Sequence, residues 1–136
     1  MKIESTSKGI FLQYGSDENW TVSIMGNQFA IDLSDYKVTL SLLPFLEMGH
    51  DNIIEQLDDD LVNSFPSALL VEAGFKNGSE HWCAYAMNWL SLENNQFLKK
   101  FENYIADIEA DKSVYGQPTR HKAKALLKRL KYKDES

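Results

Sequence analysis

Cysteine, proline and glycine are scarce in this chain of 136 residues, at one, three and seven copies. A single cysteine cannot close an internal disulfide, so nothing here suits the chain specially to an oxidising compartment. The glycines stand one at a time, at 9, 15, 26, 49, 74, 78 and 116, which excludes a glycine-rich phosphate loop; a nucleophile elbow and a CxxC pair are also missing. Long apolar runs are absent too. No window approaches the roughly eighteen consecutive apolar residues of a membrane span, and the start MKIESTSKGIFLQYG has neither the apolar stretch nor the small-residue cleavage site of a signal peptide. The expectation is a cytoplasmic protein with no membrane partner. Internal repeats, low-complexity tracts and dividing linkers are lacking, so residues 1–136 are expected to form one domain. With 43% hydrophobic residues, a chain of this length buries roughly 68% of its unfolded surface around one core.

What is present is acid. The net charge is -6, and seven of the fourteen Lys and Arg residues lie between Arg120 and Lys133, leaving eighteen acids against seven bases in residues 1–119, or -11. Such a body repels nucleic acid and attracts a basic partner.

The alternation in WTVSIMGNQFAIDL predicts a hairpin. A two-residue type II′ turn at Gly26-Asn27 would set Ile24 opposite Phe29, Val22 opposite Ile31 and Trp20 opposite Leu33, with all six apolar side chains on one face. Ile10 to Tyr14 offers a further strand. In DYKVTLSLLPFLEMG, Tyr36, Val38, Leu40 and Leu42 alternate as a strand would, while Ser34 or Asp35 could cap a helix. The alternation favours a strand over 36–42, and Pro44 argues against one unbroken helix.

From residue 50 the spacing is helical. DNIIEQLDDDLV reads as one helix with Ile54, Leu57 and Leu61 inward and Asn52 with Glu55 as a capping box. Phe65-Pro66 opens a short helix that Gly74 is placed to end, and Asn77-Gly78 is a turn. Ser79 caps the next helix, Asn94 or Asn95 caps QFLKKFENYIADIEAD, and Pro118 opens a last helix with Ala123, Leu126, Leu127 and Leu130 on one side. The fold class expected is α+β: a small antiparallel hairpin or meander followed by about five helices.

SEHWCAYAMNWL, residues 79–90, holds His81 and Cys83 on either side of Trp82, with a second tryptophan at 89. Two residues apart on a helix, His81 and Cys83 face directions about 200° apart, poor geometry for shared metal ligation or for a thiolate and its base. Trp82, Ala86, Trp89 and Leu90 fall on one side and Cys83 and Met87 on the adjoining one, so the segment reads as the central buried helix. His50, His81 and His121 lie in three separate elements. The expectation is no catalytic residue, no metal, no cofactor and no enzyme.

An acidic chain of this size with the helix Trp82, Ala86, Trp89, Leu90 and the helix start Arg120 to Lys124 (Arg-His-Lys-Ala-Lys) resembles, over its C-terminal half, the small immunity proteins of bacterial contact-dependent inhibition and related polymorphic toxin systems. That resemblance implies binding to one cognate toxin domain in the producing cell's cytoplasm, blocking it by covering its active site. Acidity fits a nuclease target, whose substrate cleft is basic. For the densest acids two readings stand: a solvated helix face, or a partner-binding surface made by Glu55, Asp58, Asp59 and Asp60. A rival function uses the basic C-terminal helix to contact nucleic acid as a regulator, against which stand the acidic body and the ability of Lys and Arg stems to cover apolar surface.

Overall fold

Four strands open the chain: β1 (Lys2–Glu4), β2 (Ile10–Tyr14), β3 (Trp20–Ile24) and β4 (Asn27–Ala30), paired antiparallel in the order β1-β2-β3-β4. A row of cross-strand partners, Ile3, Leu12, Val22 and Phe29, runs across one face. The first three are fully buried, and the Lys37 ammonium stands 4.2 Å from the Phe29 ring. The opposite face carries Lys2, Phe11, Gln13, Ser23 and Gln28, because side chains alternate along each strand.

The expected hairpin forms with a different turn. Ile24 pairs with Asn27 and Val22 with Phe29, so the turn residues are Met25 and Gly26, both at positive φ (50° and 89°), the arrangement of a type I′ turn. The register differs from expectation by two residues, an even number, so Val22 and Phe29 keep their face; Ile31 and Leu33, expected opposite Val22 and Trp20, lie beyond the end of β4. Met25 in this conformation costs about 1 to 2 kcal/mol relative to glycine. Trp20 packs edge-on to Phe65 at 5.1 Å and donates from Nε1 to Ser64 Oγ at 3.2 Å.

The expected strand over 36–42 is a helix, α1 (Tyr36–Met48), and Pro44 lies within it. Asp35 decides the outcome: its Oδ1 accepts from the Lys37 backbone N–H at 3.0 Å. Val38, Leu42, Phe45 and Leu46 are then buried together at the spacing of a helix stripe. Pro44 forgoes the bond to the carbonyl of Leu40, an exposed residue, so the loss is small where water can replace it.

Residues 1–134 are described. They fall into two compact units, Met1–Ala73 and a second beginning at Gly74. After α1 come α2 (His50–Ile54), a 3₁₀ turn (Asp59–Leu61), α3 (Ser67–Asn77), α4 (Glu80–Ser91), α5 (Asn95–Lys99), α6 (Glu102–Ala110) and α7 (Gln117–Asp134). The fold is α+β, with seven helices among the described residues, two of them only five residues long. Gly74 does not end α3. The helix continues to Asn77, and Gly78 at φ 79° follows its end, the position that favours glycine. The single helix expected over 96–111 is broken at Phe101 (φ −111°, ψ 11°). Phe101 turns inward there against Phe75 and Phe97, at 5.8 and 5.7 Å between ring centroids.

Ser79 caps α4 as expected, its Oγ accepting from the Trp82 N–H at 3.3 Å. Cys83, Ala86, Met87, Trp89 and Leu90 are buried, whereas Trp82 is only half-buried and packs beside His81, 4.7 Å between ring centroids. The two tryptophans are therefore unequal, a departure from the shared core role expected of them. Trp89→Ala should cost about 3 to 5 kcal/mol and Trp82→Ala about 1 to 2 kcal/mol. Urea unfolding of the pair checks the order; equal midpoints would contradict it.

Candidate functional site

Residues 50–61 do not form one helix. α2 stops at Ile54; Gln56 and Leu57 then bond back three residues, to the carbonyls of Ile53 and Ile54, and the 3₁₀ turn starts after Asp58. A helix through residue 62 would put Asp58, Asp59 and Asp60 near its C-terminal end, where the macrodipole repels them. The break puts Asp59 and Asp60 in the first turn of the next short element instead. Asn52 is not a cap either: its Nδ2 donates to the Met48 carbonyl. Glu55, Asp58 and Asp59 thus do not share one helical side as the spacing had suggested.

All four carboxylates are nevertheless exposed, while Ile53 just before them and Leu57 among them are buried and pin the segment down. Neither a hydrogen bond nor an ion pair engages the side chains of Glu55, Asp58, Asp59 or Asp60 among the described residues. His50 is occupied nearby, its Nδ1 lying 2.9 Å from Asp51 Oδ1. A signal for this was present in the sequence and lies in what is missing. Between Val38 and Phe75 there is no Lys or Arg, against seven acids: Glu47, Asp51, Glu55, Asp58, Asp59, Asp60 and Glu72. The charge of this stretch has no local counterpart.

The basic residues of α7 have a different fate. Arg129 donates from its two terminal nitrogens to the Ser91 and Glu93 carbonyls, at 3.2 and 2.9 Å, closing the C-terminal end of α4. Lys122 Nζ reaches Asn88 Oδ1 at 2.9 Å, and Arg120 Nε donates to the Tyr115 carbonyl at 3.1 Å. Lys124, Lys128 and Lys131 remain exposed; the side chain of Lys133 lies outside the described residues. At the other end of α4, Glu80 Oε1 accepts from the Gly116 N–H at 3.0 Å and from Thr119 Oγ1 at 2.8 Å. Three of the seven cations are thus held by carbonyl or amide oxygens inside the second unit.

Cys83 is 1% exposed, with Sγ 3.6 Å from Tyr115 Oη and 4.0 Å from the Gly74 carbonyl. Burial pushes its thiol pKa up despite the Tyr115 contact, the opposite of an activated thiolate. His81 is exposed on the rim. No group of three or more His, Cys, Asp and Glu side chains able to hold a metal occurs among the described residues, and no helix among them is long and apolar enough to cross a membrane. No protein-family model, curated protein or solved structure matches the chain.

Tyr115 donates to the Gly78 carbonyl at 3.2 Å, and its ionisation is pushed up to about 12, first by burial and then by Cys83 and by Asp111 and Asp107. Because the folded value lies above the unfolded value of about 10, the unfolded chain loses this proton first. The resulting stability is whole below pH ~10 and is lost as pH rises through the folded value. Tyr115→Phe should cost about 1 kcal/mol at neutral pH for the lost hydrogen bond and should shrink the alkaline loss of stability relative to wild type. Urea midpoints measured from pH 7 into this range check both effects.

Proposed function

We propose that the chain is an immunity protein: a non-enzymatic inhibitor that binds a cognate bacterial toxin domain in the cytoplasm and occludes its active site, with a nuclease as the preferred target. The observation that supports the reading is the exposed group Glu55, Asp58, Asp59 and Asp60, whose carboxylates have no partner among the described residues and sit in a stretch without Lys or Arg. A fold that gained its stability from these charges would pair them. Left unpaired, they repel one another and are available to a basic surface, where they would steer encounter and take the place of a nucleic-acid substrate's phosphates.

The alternative, a nucleic-acid-associated regulator acting through α7, has less support, because Arg120, Lys122 and Arg129 already bond within their own unit. The fewer the free cations, the shallower the salt dependence such an element can generate.

The reading is tested first on the neighbouring reading frame: if a large secreted protein with a variable C-terminal domain is encoded directly upstream, that domain is purified and titrated against this chain. Asp58→Lys with Asp59→Lys should weaken binding by about 2 kcal/mol or more, since opposed charges become like charges, while the unfolding midpoint moves by under about 0.5 kcal/mol. Wild-type association should slow as salt rises. Calorimetric titration and stopped-flow association measure these quantities. Unchanged affinity in the double variant would remove this face from the interface, and absence of wild-type binding would remove the immunity reading.

A further inference from the structure

The β3–β4 turn is built from a residue that turn chemistry disfavours. In a type I′ turn both central positions require positive φ, for which asparagine followed by glycine is the preferred pair. Here the first position is Met25, at φ 50° and 74% exposed. An unbranched apolar side chain has been kept, at a conformational penalty, where it touches water. Gly9, at φ 83°, makes room for it. A Cβ on Gly9 would lie 2.6 Å from Met25 Sδ, and the backbones are tied by the Met25 N–H donating to the Gly9 carbonyl at 2.9 Å.

Met25 borders a groove of about 600 Å³ on the sheet face turned away from the buried row of Ile3, Leu12 and Val22. Phe11 shares that groove; Lys2, Lys8, Gln13 and Gln28 also line it, and no carboxylate does. Glu4 lies on the same face of β1 but outside the lining. The Lys2 ammonium stands 5.7 Å from the Phe11 ring centroid. Neither Lys2 nor Lys8 has a carboxylate partner among the described residues. In residues 1–73 the only other Lys or Arg is Lys37, so two of three cations in a strongly acidic unit converge on one groove. A thioether and an aromatic ring in one lining with polar and cationic groups is a composition suited to binding protein.

We infer that this outer sheet face docks an acidic polypeptide segment of a partner protein, seating an aromatic or large apolar side chain against Met25 and Phe11 and setting carboxylates against Lys2 and Lys8. Charge complementarity selects the partner: the lining offers ammonium, amide and hydroxyl donors and no negative group. Met25 supplies the adaptable apolar contact, which explains its presence where asparagine would make the better turn. The inference is independent of the acidic surface around Asp58, because it concerns a different face and a partner of opposite charge.

The test uses the full chain and three probes followed by fluorescence anisotropy: a short labelled peptide rich in aspartate with two phenylalanines, its counterpart with lysine replacing every aspartate, and a labelled single-stranded oligonucleotide. The acidic peptide should bind best, and its affinity should fall with added salt. Lys2→Glu with Lys8→Glu should lower that affinity about tenfold and shift preference toward the lysine peptide. Met25→Asn separates binding from folding: it should raise Tm by about 2 to 5 °C while weakening the acidic peptide several-fold. Several outcomes overturn the proposal: equal binding of the two peptides, no response to the double lysine variant, tighter binding of the oligonucleotide, or a Met25→Asn protein that is more stable and binds as before. So does sedimentation showing that wild type self-associates through this face and the lysine variant does not.

Discussion

In the second unit, α4 and α7 close each other's ends: Glu80 at the start of α4 accepts from Gly116 and Thr119 at the start of α7, and Arg129 late in α7 donates to the Ser91 and Glu93 carbonyls at the end of α4. The pairings run in the same order along both helices, with Lys122 to Asn88 between them, so the two lie parallel. Helix ends leave backbone groups without partners, and here the partners come from the neighbouring helix. Trp89 and Leu90 of α4 and Ala123, Leu126 and Leu130 of α7 are all buried. The same constraint accounts for part of the basic run: Arg129 is cationic because it seals a helix end that carries partial negative charge.

The first unit treats charge in the opposite way. In its stretch without Lys or Arg, the exposed side chains of Glu55, Asp58, Asp59 and Asp60 make no hydrogen bond or ion pair among the described residues. Like charges this close in sequence destabilise the folded chain slightly. Met25 is a second local choice that stability alone would not make. Places where a chain breaks a local rule are where function is sought, and both of these lie on exposed surface.

Much of the architecture was legible in the residue pattern. The alternation around Val22 placed β3 and β4, and Leu12 placed β2, because a half-buried sheet writes its period of two directly. The turn was placed one residue late, since Gly26-Asn27 suits a type II′ turn while Met25 is a disfavoured first residue for the type I′ turn that forms. At Tyr36–Met48 two periods compete: Tyr36, Val38, Leu40 and Leu42 alternate, while Val38, Leu42, Phe45 and Leu46 repeat as a helix, and the Asp35 cap settles the contest locally. The break at Phe101 and the half-burial of Trp82 depend on neighbours distant in sequence, which no local period encodes. Of the candidate site, exposure of the four acids was legible and their helical arrangement was not, because three successive aspartates disfavour the helix end that the apolar spacing asked for. That Arg129, Lys122 and Arg120 bond to oxygens of their own unit could not be read from a run of like charges; those partners are known only once the helices pack.

The central proposal is that the carboxylates of Glu55, Asp58, Asp59 and Asp60, without a hydrogen bond or ion pair among the described residues, are held for a partner protein. The direct measurement is the stability of the isolated protein against urea at low and moderate NaCl, compared with the variant Asp58→Asn, Asp59→Asn. Screening relieves repulsion but weakens attraction. The account predicts that salt stabilises the wild type, that the neutral variant is more stable at low salt, and that the difference between them narrows as salt rises. Salt that destabilises the wild type, together with a variant that is less stable, would mean that these carboxylates are paired inside the fold, and the claim would be wrong.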